Sequence, residues 1–407
     1  MRKRALRAIS ECKHIATMSE EPGRLTRRFL TPAMHQVHAH LRARMATVGM
    51  ITHVDAAGNL RGLWQPAQAT FKRLVLGSHI DTVPNAGAYD GVLGVALALE
   101  WVGIAQDFQL PMAIEVIAFS DEEGVRFGVP FLGSRAVAGR FDSALLSLTD
   151  SEGVTVEAAM LTFGLDPRRI GEAALSAEAI GFVEIHIEQG PVLEAEGLSV
   201  AAVTSIVGQT RFTLAFRGQA NHAGTTPMHL RRDALAAAAE WITAIEVLAR
   251  RTEGLVATVG KISVEPNAAN VVPGSAQVSL DLRHTDDAAR AQAVETLLAA
   301  ATGIVERRGL SFERTDQLDQ PAVPMDERLT SFMADAIESA GSPAKTITSG
   351  AGHDAMVMAA RVPTTMLFLR SPGGISHHPS ETVLGGDVEV SLNVAREFLL
   401  RVSNDIG

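Results

Sequence analysis

The chain of 407 residues has very little cysteine and no excess of basic residues. Cys12 is its only cysteine, so an intrachain disulfide cannot form and a cysteine-rich zinc module is excluded. The formal net charge is -10, which argues against an extended basic surface for nucleic acid or anionic lipid. We therefore expect a small-molecule partner, no nucleic-acid partner and a location in the reducing cytoplasm.

Long apolar runs are also missing from the sequence. No stretch approaches the roughly 20 apolar residues that a membrane-spanning helix needs, so we expect no membrane partner. The basic start, Met1 to Arg7, is similar to the first part of a signal peptide, but polar residues at positions 10, 11, 13 and 14 interrupt the apolar segment that would have to follow. We predict a short exposed amphipathic helix there.

The length exceeds the usual size of one hydrophobic core, so two domains are expected. Arg73 to His79 and Ala113 to Phe119 are short apolar segments typical of buried strands, and Gly91 to Trp101 between them is typical of a buried crossover helix. Further strands are predicted at Phe182 to Glu188 and Thr364 to Leu369. This alternation favours an α/β sheet, in which functional groups collect at the carboxyl ends of the strands.

The middle of the chain has a different pattern. An alternating strand at 209–217 and an Ala-rich helix at 232–250 are followed by strands around 256–264 and 276–283, a helix near 287–307 and a strand at 311–316. The order β-α-β-β-α-β is that of a ferredoxin-like domain. We predict that residues 208–322 form an inserted α+β domain, with hinges near Gly208 and Pro321, and that 1–207 and 323–407 form the larger α/β domain.

Histidines and acids gather in five segments that end a predicted strand or form a loop. The segments are Gly77 to Pro84, Tyr89 to Gly91, Phe119 to Gly124, Glu184 to Gly190 and Ser376 to Glu381. Any one of them alone is better explained by a structural histidine or a solvated acid. Together, in a chain with almost no cysteine, they match the ligands that hard or borderline divalent ions require.

The spacing within these segments supports a metal site. His79 and Asp81 are two apart on an extended chain and share a face, so one can bind a metal while the other orients it. Asp90 precedes Gly91 in a loop, where one carboxylate can face two ions. Three acids at 121–123 follow an apolar strand, where their repulsion is costly without cations.

Seven motifs occur in the order found in a known family. They are GSHIDTVPNAGAYDG, FSDEEGVRFG, HIEQGPVLE, NHAGTTPM, NAANVVPG with DLRHTD, SGAGHDA and ISHHPSE. The chain thereby resembles, over nearly its whole length, the M20 family of co-catalytic metallohydrolases and specifically its hydantoinase/carbamoylase branch. The resemblance implies a zinc-peptidase-like catalytic domain with a mixed sheet, and an inserted ferredoxin-like lid through which a homodimer forms.

The resemblance also implies two divalent ions per subunit, which can be zinc, manganese, cobalt or nickel. The ligands of the first ion would be His79, Asp90 and His186, and those of the second Asp90, Glu123 and His377. Asp81 would orient His79. The family pattern Ser-His-x-Pro-x-Glu selects His377, although the adjacent His378 remains open as the ligand.

The branch cleaves ureido compounds. Aminoacylase and carboxypeptidase branches tend to have a carboxylate where this chain has His186, so the resemblance favours hydrolysis of the carbamoyl C–N bond of an N-carbamoyl-L-amino acid or a similar small carboxylated ureido acid, with release of amino acid, ammonia and carbon dioxide. Allantoate amidohydrolase shares every motif and remains the alternative. An aminoacylase, a dipeptidase or a non-catalytic metal-binding homologue is less favoured.

Hydrolysis of a ureido carbon needs an activated water and stabilisation of the negative oxygen. The resemblance makes Glu122 the general base; the alternative is an acid that only adds negative charge to the site. It makes His222 the group that stabilises the oxyanion, often across a dimer interface. From the residues alone, His222 is equally well an ordinary turn residue.

The substrate carboxylate needs a cation on the protein. Arg283 ends a predicted strand on the same face as Asp281, where it can grip a carboxylate or form an ion pair with Asp281 or Asp286. The resemblance selects the substrate role for Arg283, assisted by Asn270. It adds as further contact candidates Gln209, Arg211 and Gly352. Since the grip and the metal site lie on different domains, we expect one domain to close over the other.

Overall fold

The computed structural model describes residues 1–67 and 72–406. Internal contacts divide the chain into two compact units, Met1–Thr204 with Met325–Gly407, and Ser205–Pro324. The sequence prediction puts these boundaries at 208 and 322. Each unit has its own hydrophobic core.

The helices of the described residues are α1 (Arg2–Ile15), α2 (Pro32–Thr47), α3 (Val92–Asp107), α4 (Leu132–Val137), α5 (Val156–Phe163), α6 (Val192–Glu196), α7 (Ala234–Arg251), α8 (Asp287–Arg308), α9 (Glu327–Ser339), α10 (Asp354–Met358) and α11 (Gly385–Ile406). The strands are β1 (Ile51–Val54), β2 (Leu60–Trp64), β3 (Arg73–His79), β4 (Ala113–Phe119), β5 (Ala179–Ile187), β6 (Val200–Ile206), β7 (Gly208–Arg217), β8 (Asn221–His222), β9 (Val256–Thr258), β10 (Ile262–Glu265), β11 (Val271–Val272), β12 (Ser275–His284), β13 (Ser311–Gln320), β14 (Val323–Pro324), β15 (Thr346–Ser349) and β16 (Thr364–Leu369). None of the helices in this part of the chain is long and apolar enough to span a membrane.

The first unit is built on a mixed sheet with the strand order β1-β2-β4-β3-β5-β16-β6, and β15 lies beside β6. The four central strands β4, β3, β5 and β16 are parallel. The outer pairs β1–β2, β2–β4 and β16–β6 are antiparallel. The mixed α/β class predicted from the sequence is therefore confirmed. The parallel centre matters most for function, because the carboxyl ends of these four strands meet at one edge.

Helix α3 is longer than the sequence pattern predicts. The prediction ends at Trp101, whereas the helix continues to Asp107, because Val102, Ile104 and Ala105 are also buried. The helix contacts β3, β4 and β5 as well as α1 and α11. Because α3 is covered on several sides, its sequence has no polar face, and no change in pattern marks where the helix ends.

Helix α1 is the amphipathic helix predicted from the sequence, but only one side of it is exposed. Its apolar stripe is buried in the core of the first unit. Its arginines Arg4 and Arg7, together with Arg44 of α2, surround the buried carboxylate of Glu100 on α3. The charge on Glu100, which lies inside the apolar helix α3, therefore anchors the N-terminal helix.

The second unit has an antiparallel sheet in the order β10-β12-β7-β13, with β9 also pairing with β12. Helices α7 and α8 cover this sheet around Trp241, which is fully buried and donates to the carbonyl of Leu297 at 2.8 Å. The strand expected around 256–264 is two strands. Both strands pair with β12, and the hydroxyl of Ser279 on β12 accepts from the backbone N–H of Lys261 at 2.9 Å, a side-chain bond at the break between β9 and β10.

We predict that Glu100→Gln destabilises the protein at neutral pH. Burial alone would raise the pKa of Glu100, but its arginine partners outweigh burial and lower it. A carboxyl whose pKa is lowered by folding contributes stability above its ordinary pKa of 4.5, and loses it as the pH falls through the lowered value. The expected cost at pH 7 is about 1–3 kcal/mol, typical of hydrogen bonds to charged groups.

Thermal melting at pH 7 and at pH 3.5 measures this effect. The difference between wild type and Glu100→Gln should narrow at the lower pH. The control is Glu246→Gln, which removes an exposed ion pair with Arg250 and should change stability by under about 0.5 kcal/mol. A difference that stays constant with pH would show that Glu100 acts through packing.

Candidate active site

Four parallel strands bring distant parts of the sequence to one edge of the first unit. Strand β3 ends at His79, and β4 is followed directly by the acids at 121–123. His186 lies near the end of β5, in register with Phe368 of β16. The loop after β16 contains His377. The predicted collection of functional groups at the carboxyl ends of strands is what the sheet order produces.

The first cluster consists of His79, Asp90 and His186, all of them buried. The Nε2 atoms of the two histidines are 3.3 Å apart, and His186 Nε2 lies 3.1 Å from Asp90 Oδ1. His79 Nδ1 donates to the carbonyl of Asp81, and His186 Nδ1 donates to the carbonyl of Ile187. Because a carbonyl only accepts, each Nδ1 carries the proton of the neutral ring and each Nε2 presents a lone pair. These groups together are acceptors, which suits a cation.

The second cluster consists of Asp90, Glu123 and His377. His377 Nε2 lies 3.1 Å from Asp90 Oδ2 and 3.6 Å from Glu123 Oε1. The two carboxylate oxygens of Asp90 therefore face different clusters. His378 belongs to neither, and its Nδ1 accepts from the backbone N–H of Ser380 at 3.1 Å. The geometry thus brings His377, rather than its neighbour, to the other groups.

Asp81 holds the acidic segment as well as His79. Its Oδ1 and Oδ2 accept from the backbone N–H groups of Glu122 and Glu123 at 2.9 and 3.0 Å. Its Oδ1 also lies 3.5 Å from His79 Nδ1. The sequence predicts an orienting role of Asp81 toward His79 alone. The spacing of these two residues gives no information about the distant segment that contains Glu122 and Glu123. Asp81 therefore links the end of β3 to the acids after β4.

The surroundings of Glu122 and Glu123 destabilise the ionised form of both side chains. Burial raises the pKa of Glu122 well above its ordinary range, and the charge of Glu123 raises it further. Burial and the nearby charge of Asp90 raise the pKa of Glu123 to about 7. Glu122 also lies close enough to His79 and Glu123 to form a third candidate ligand group. Such a concentration of buried negative charge fits divalent cations, so the donor set agrees with a metal centre.

A further group that could hold a metal is formed by Glu184, His186 and His353. Its potential ligand atoms already take part in hydrogen bonds. The two oxygens of Glu184 accept from Ser78 Oγ at 3.0 Å and from the backbone N–H of Ala355 at 2.7 Å. His353 Nε2 bonds to the hydroxyl of Ser349 at 2.9 Å, and its ring lies edge-on to that of His186. These hydrogen bonds compete with a metal for Glu184 and His353, so we place the ions in the other two clusters.

Two residues near the clusters were missed by the sequence analysis. Gln189 Nε2 donates to Asp90 Oδ2 at 3.1 Å, and its place in the HIEQG motif after His186 was the available signal. Arg27 is fully buried and donates to the carbonyls of Ile80 and Ile15. Burial lowers its pKa to about 10, against the opposing charge of Asp81. No pattern in the sequence around Arg27 reveals this contact, since its acceptors are backbone atoms.

His222 of the second unit lies at the end of β8, where a loop begins. Its Nδ1 accepts from the backbone N–H groups of Gly224 and Thr225 at 3.1 and 3.2 Å. The proton of the neutral ring is therefore on Nε2, and the exposed imidazole presents an N–H donor. Arg231 braces the loop through the carbonyls of Ala223 and Thr226. Asn270 is exposed, and its backbone carbonyl accepts from the backbone N–H of Ala223 at 2.9 Å.

Three predicted substrate residues of the second unit share one partner. Asp281 accepts from Gln209 at 3.0 Å, from Arg211 at 2.7 Å and from Arg283 at 2.9 Å. Burial would raise the pKa of Asp281, but these donors, Arg283 foremost, lower it to about 2. The ion pair with Asp281, named from the sequence as the alternative for Arg283, is thus present. Gly352 lies in the first unit, exposed, where an added Cβ would be 3.0 Å from Cζ of Phe131.

Comparison with known proteins identifies the family. The family model for peptidase family M20/M25/M40 matches residues 75–401, so the chain belongs to this family. A probable allantoate deiminase of Oryza sativa subsp. japonica is 38% identical over 418 residues, covering 93% of this chain and 85% of that protein. The N-carbamoyl-L-amino acid amidohydrolase of Geobacillus stearothermophilus is 38% identical over 378 residues, covering 91% of this chain and 92% of that protein.

The solved structures agree with this assignment. An amidase of the hydantoinase/carbamoylase family from Burkholderia multivorans is 32% identical, with a TM-score of 0.91 over 98% of this chain and 97% of that one. The resemblance to the M20 family and to its hydantoinase/carbamoylase branch, stated above from seven motifs, is therefore confirmed.

We predict that His377→Ala weakens divalent metal binding and that His378→Ala does not. Only the first variant removes a nitrogen that faces Asp90 and Glu123. We expect at least the 10–100-fold loss of affinity that a change next to a metal ligand produces, since His377 is itself a candidate ligand. Titration with Zn²⁺ against a competing chelator measures the affinity. Equal loss in both variants would show that the loop, and not the His377 nitrogen, matters.

Proposed function

We propose that this protein is an amidohydrolase with two divalent ions per subunit that cleaves the carbamoyl C–N bond of N-carbamoyl-L-amino acids. The observation that carries the proposal is the position of Asp90, whose two oxygens face two different sets of histidine and carboxylate groups. Membership of the M20 family and the similarity to amidohydrolases of known name support it.

The residues of the first unit suit the proposed ions. His79, Asp90 and His186 would hold one, and Asp90, Glu123 and His377 the other. Neutral imidazoles and carboxylates accept zinc, manganese, cobalt or nickel. When bound, the ions supply Lewis acidity toward the substrate oxygen and toward water.

Glu122 is the proposed general base. Asp81 accepts from its backbone N–H, and the carboxylate of Glu122 lies within 4.8 Å of potential ligand atoms of His79 and Glu123. Glu122 takes the proton of the attacking water and delivers it to the departing nitrogen, so one carboxylate acts twice.

The second unit supplies donors for the substrate. The Nε2–H of His222 is suited to the negative oxygen of the tetrahedral intermediate. Two arginines, Arg211 and Arg283, donate to the single carboxylate of Asp281, so the group keeps a net positive charge. These bonds hold the guanidinium groups in place for a substrate carboxylate. Asn270, Gln209 and Gly352 complete the proposed contacts. In this proposal the second unit is a lid that closes over the substrate, and it also forms a homodimer.

Allantoate is the second candidate substrate. The relatives named for allantoate and for N-carbamoyl-L-amino acids are equally similar to this chain, at 38% identity. Both substrates combine a carboxylate with a ureido group, so the same proposed groups serve both.

The expected cellular location is the cytoplasm.

The test of the proposal is ammonia release from N-carbamoyl-L-amino acids, N-carbamoyl-β-alanine and allantoate. An N-acetyl amino acid and a dipeptide are the comparison substrates, and their cleavage is followed by the free amino acid that it releases, because it yields no ammonia. Each reaction is measured after treatment with chelator and again after addition of manganese. We expect turnover of a ureido acid that chelator abolishes and the metal restores. Cleavage of only the N-acetyl or peptide substrate, or turnover unaffected by chelator, would contradict the proposal.

We predict that Glu122→Gln abolishes turnover without loss of metal. A glutamine keeps the shape and the backbone bond to Asp81 but cannot accept the water's proton, so we expect kcat to fall by at least about 100-fold, within the range that general base catalysis contributes. Metal content by mass spectrometry and kcat by ammonia release are measured together. The control Glu188→Gln changes an acid whose oxygens accept from the backbone of α6, and should leave kcat unchanged. Retained turnover in Glu122→Gln would disprove the base assignment.

A further inference from the structure

We infer that Glu381 is a positioning residue that holds the loop of Asp90 and the loop of His377 together, and that binding of the second ion depends on it. The inference rests on the proposed function, since it concerns the ion expected between Asp90, Glu123 and His377. It assigns a role to a side chain outside every candidate ligand group of the described residues.

The carboxylate of Glu381 bonds to both loops. Its Oε1 accepts from the backbone N–H groups of Tyr89 and Asp90 at 2.8 and 3.0 Å. Its Oε2 lies 3.2 Å from the hydroxyl of Ser376, the residue directly before His377. That hydroxyl is also 3.1 Å from Asp90 Oδ2, so Ser376 lies between the two carboxylates. One side chain thus joins two segments that are distant in the sequence.

Gly87 makes this contact sterically possible. A Cβ added at Gly87 would lie 2.3 Å from Cβ of Glu381 and 2.5 Å from its Oε1, far closer than atoms approach without displacement. Gly87 is not among the glycines with a positive φ, so its backbone conformation is open to other residues. The close approach of Glu381, which is only 5% exposed, is therefore the reason for a glycine at this position.

The two loops need such support more than the strands do. His79 and His186 lie on β3 and β5 at the centre of the sheet, where they pair with Phe119 of β4 and Phe368 of β16. His377 lies on a loop, its side chain is 48% exposed, and its φ of 56° is in the left-handed region, which a residue with a Cβ keeps only when its surroundings enforce it. Loss of Glu381 should therefore affect the second ion before the first.

The experiment compares metal binding by wild type, Glu381→Ala, Glu381→Gln and Gly87→Ala. Ions per chain are counted by mass spectrometry after dialysis, and affinities are measured by Zn²⁺ titration against a chelator. Glu188→Ala is the matched control, because Glu188 also accepts two backbone N–H groups, from Val192 and Leu193, but joins no ligand loops.

We expect Glu381→Ala to keep one ion with wild-type affinity and to bind the other, the ion of the second cluster, about 10–100-fold less well, the loss typical of residues that orient metal ligands. Gly87→Ala should reproduce this loss from the other side of the contact. Glu381→Gln should bind both ions, because an amide oxygen still accepts the two N–H groups. Glu188→Ala should bind both ions as wild type does.

The outcomes separate this inference from the proposed function. If wild type does not bind two ions, the proposed two-metal centre is wrong. If wild type binds two, and Glu381→Ala and Gly87→Ala bind both with wild-type affinity, the positioning role of Glu381 is wrong. If Glu381→Ala does not fold, Gly87→Ala decides the question, since it leaves the carboxylate of Glu381 in place.

Discussion

The structure of the first unit depends on one constraint, which is the burial of many hydrogen-bond acceptors at one edge of a sheet. Two imidazole Nε2 atoms and the carboxylate of Asp90 lie within 3.7 Å of one another, and further acids surround them. Burying ionised acids beside these rings is costly, and positive charge offsets that cost. The neighbouring bonds of Asp81, Gln189 and Glu381 have a common effect, because each fixes a group that a cation would contact.

The two units offer complementary chemistry. The first presents lone pairs and negative charge, which suit cations. The second presents a histidine with an exposed N–H donor at His222, and two arginines arranged around Asp281. Donors and positive charge suit a carboxylate and a developing oxyanion. In the proposed function an amidohydrolase for ureido acids uses both kinds of surface, and the two units of the chain would then divide the chemical tasks between them.

Where the sequence prediction fails, tertiary contacts override a local pattern. Strands β3, β4 and β16 have the predicted bounds, because an apolar strand between polar residues is visible in the sequence alone. The predicted end of α3 is too early and the exposed helix predicted at α1 is buried on one side, because burial of both depends on each other and on α11. The split between β9 and β10 coincides with a bond to one hydroxyl, that of Ser279, from another strand. None of these partners is near in sequence.

The sequence by itself determined the chemical nature of the site, since residue types and their order in seven motifs identify the family and name the histidines and acids. It left His377 and His378 open, and it left open whether Arg283 pairs with Asp281. The folded structure answers both questions of geometry. His377 Nε2 lies 3.1 Å from Asp90 Oδ2, whereas His378 accepts from Ser380, because adjacent residues on a loop point in different directions. Arg283 pairs with Asp281. The folded structure also revealed the contact between Gly87 and Glu381, since steric fit between distant segments exists only once the chain has folded.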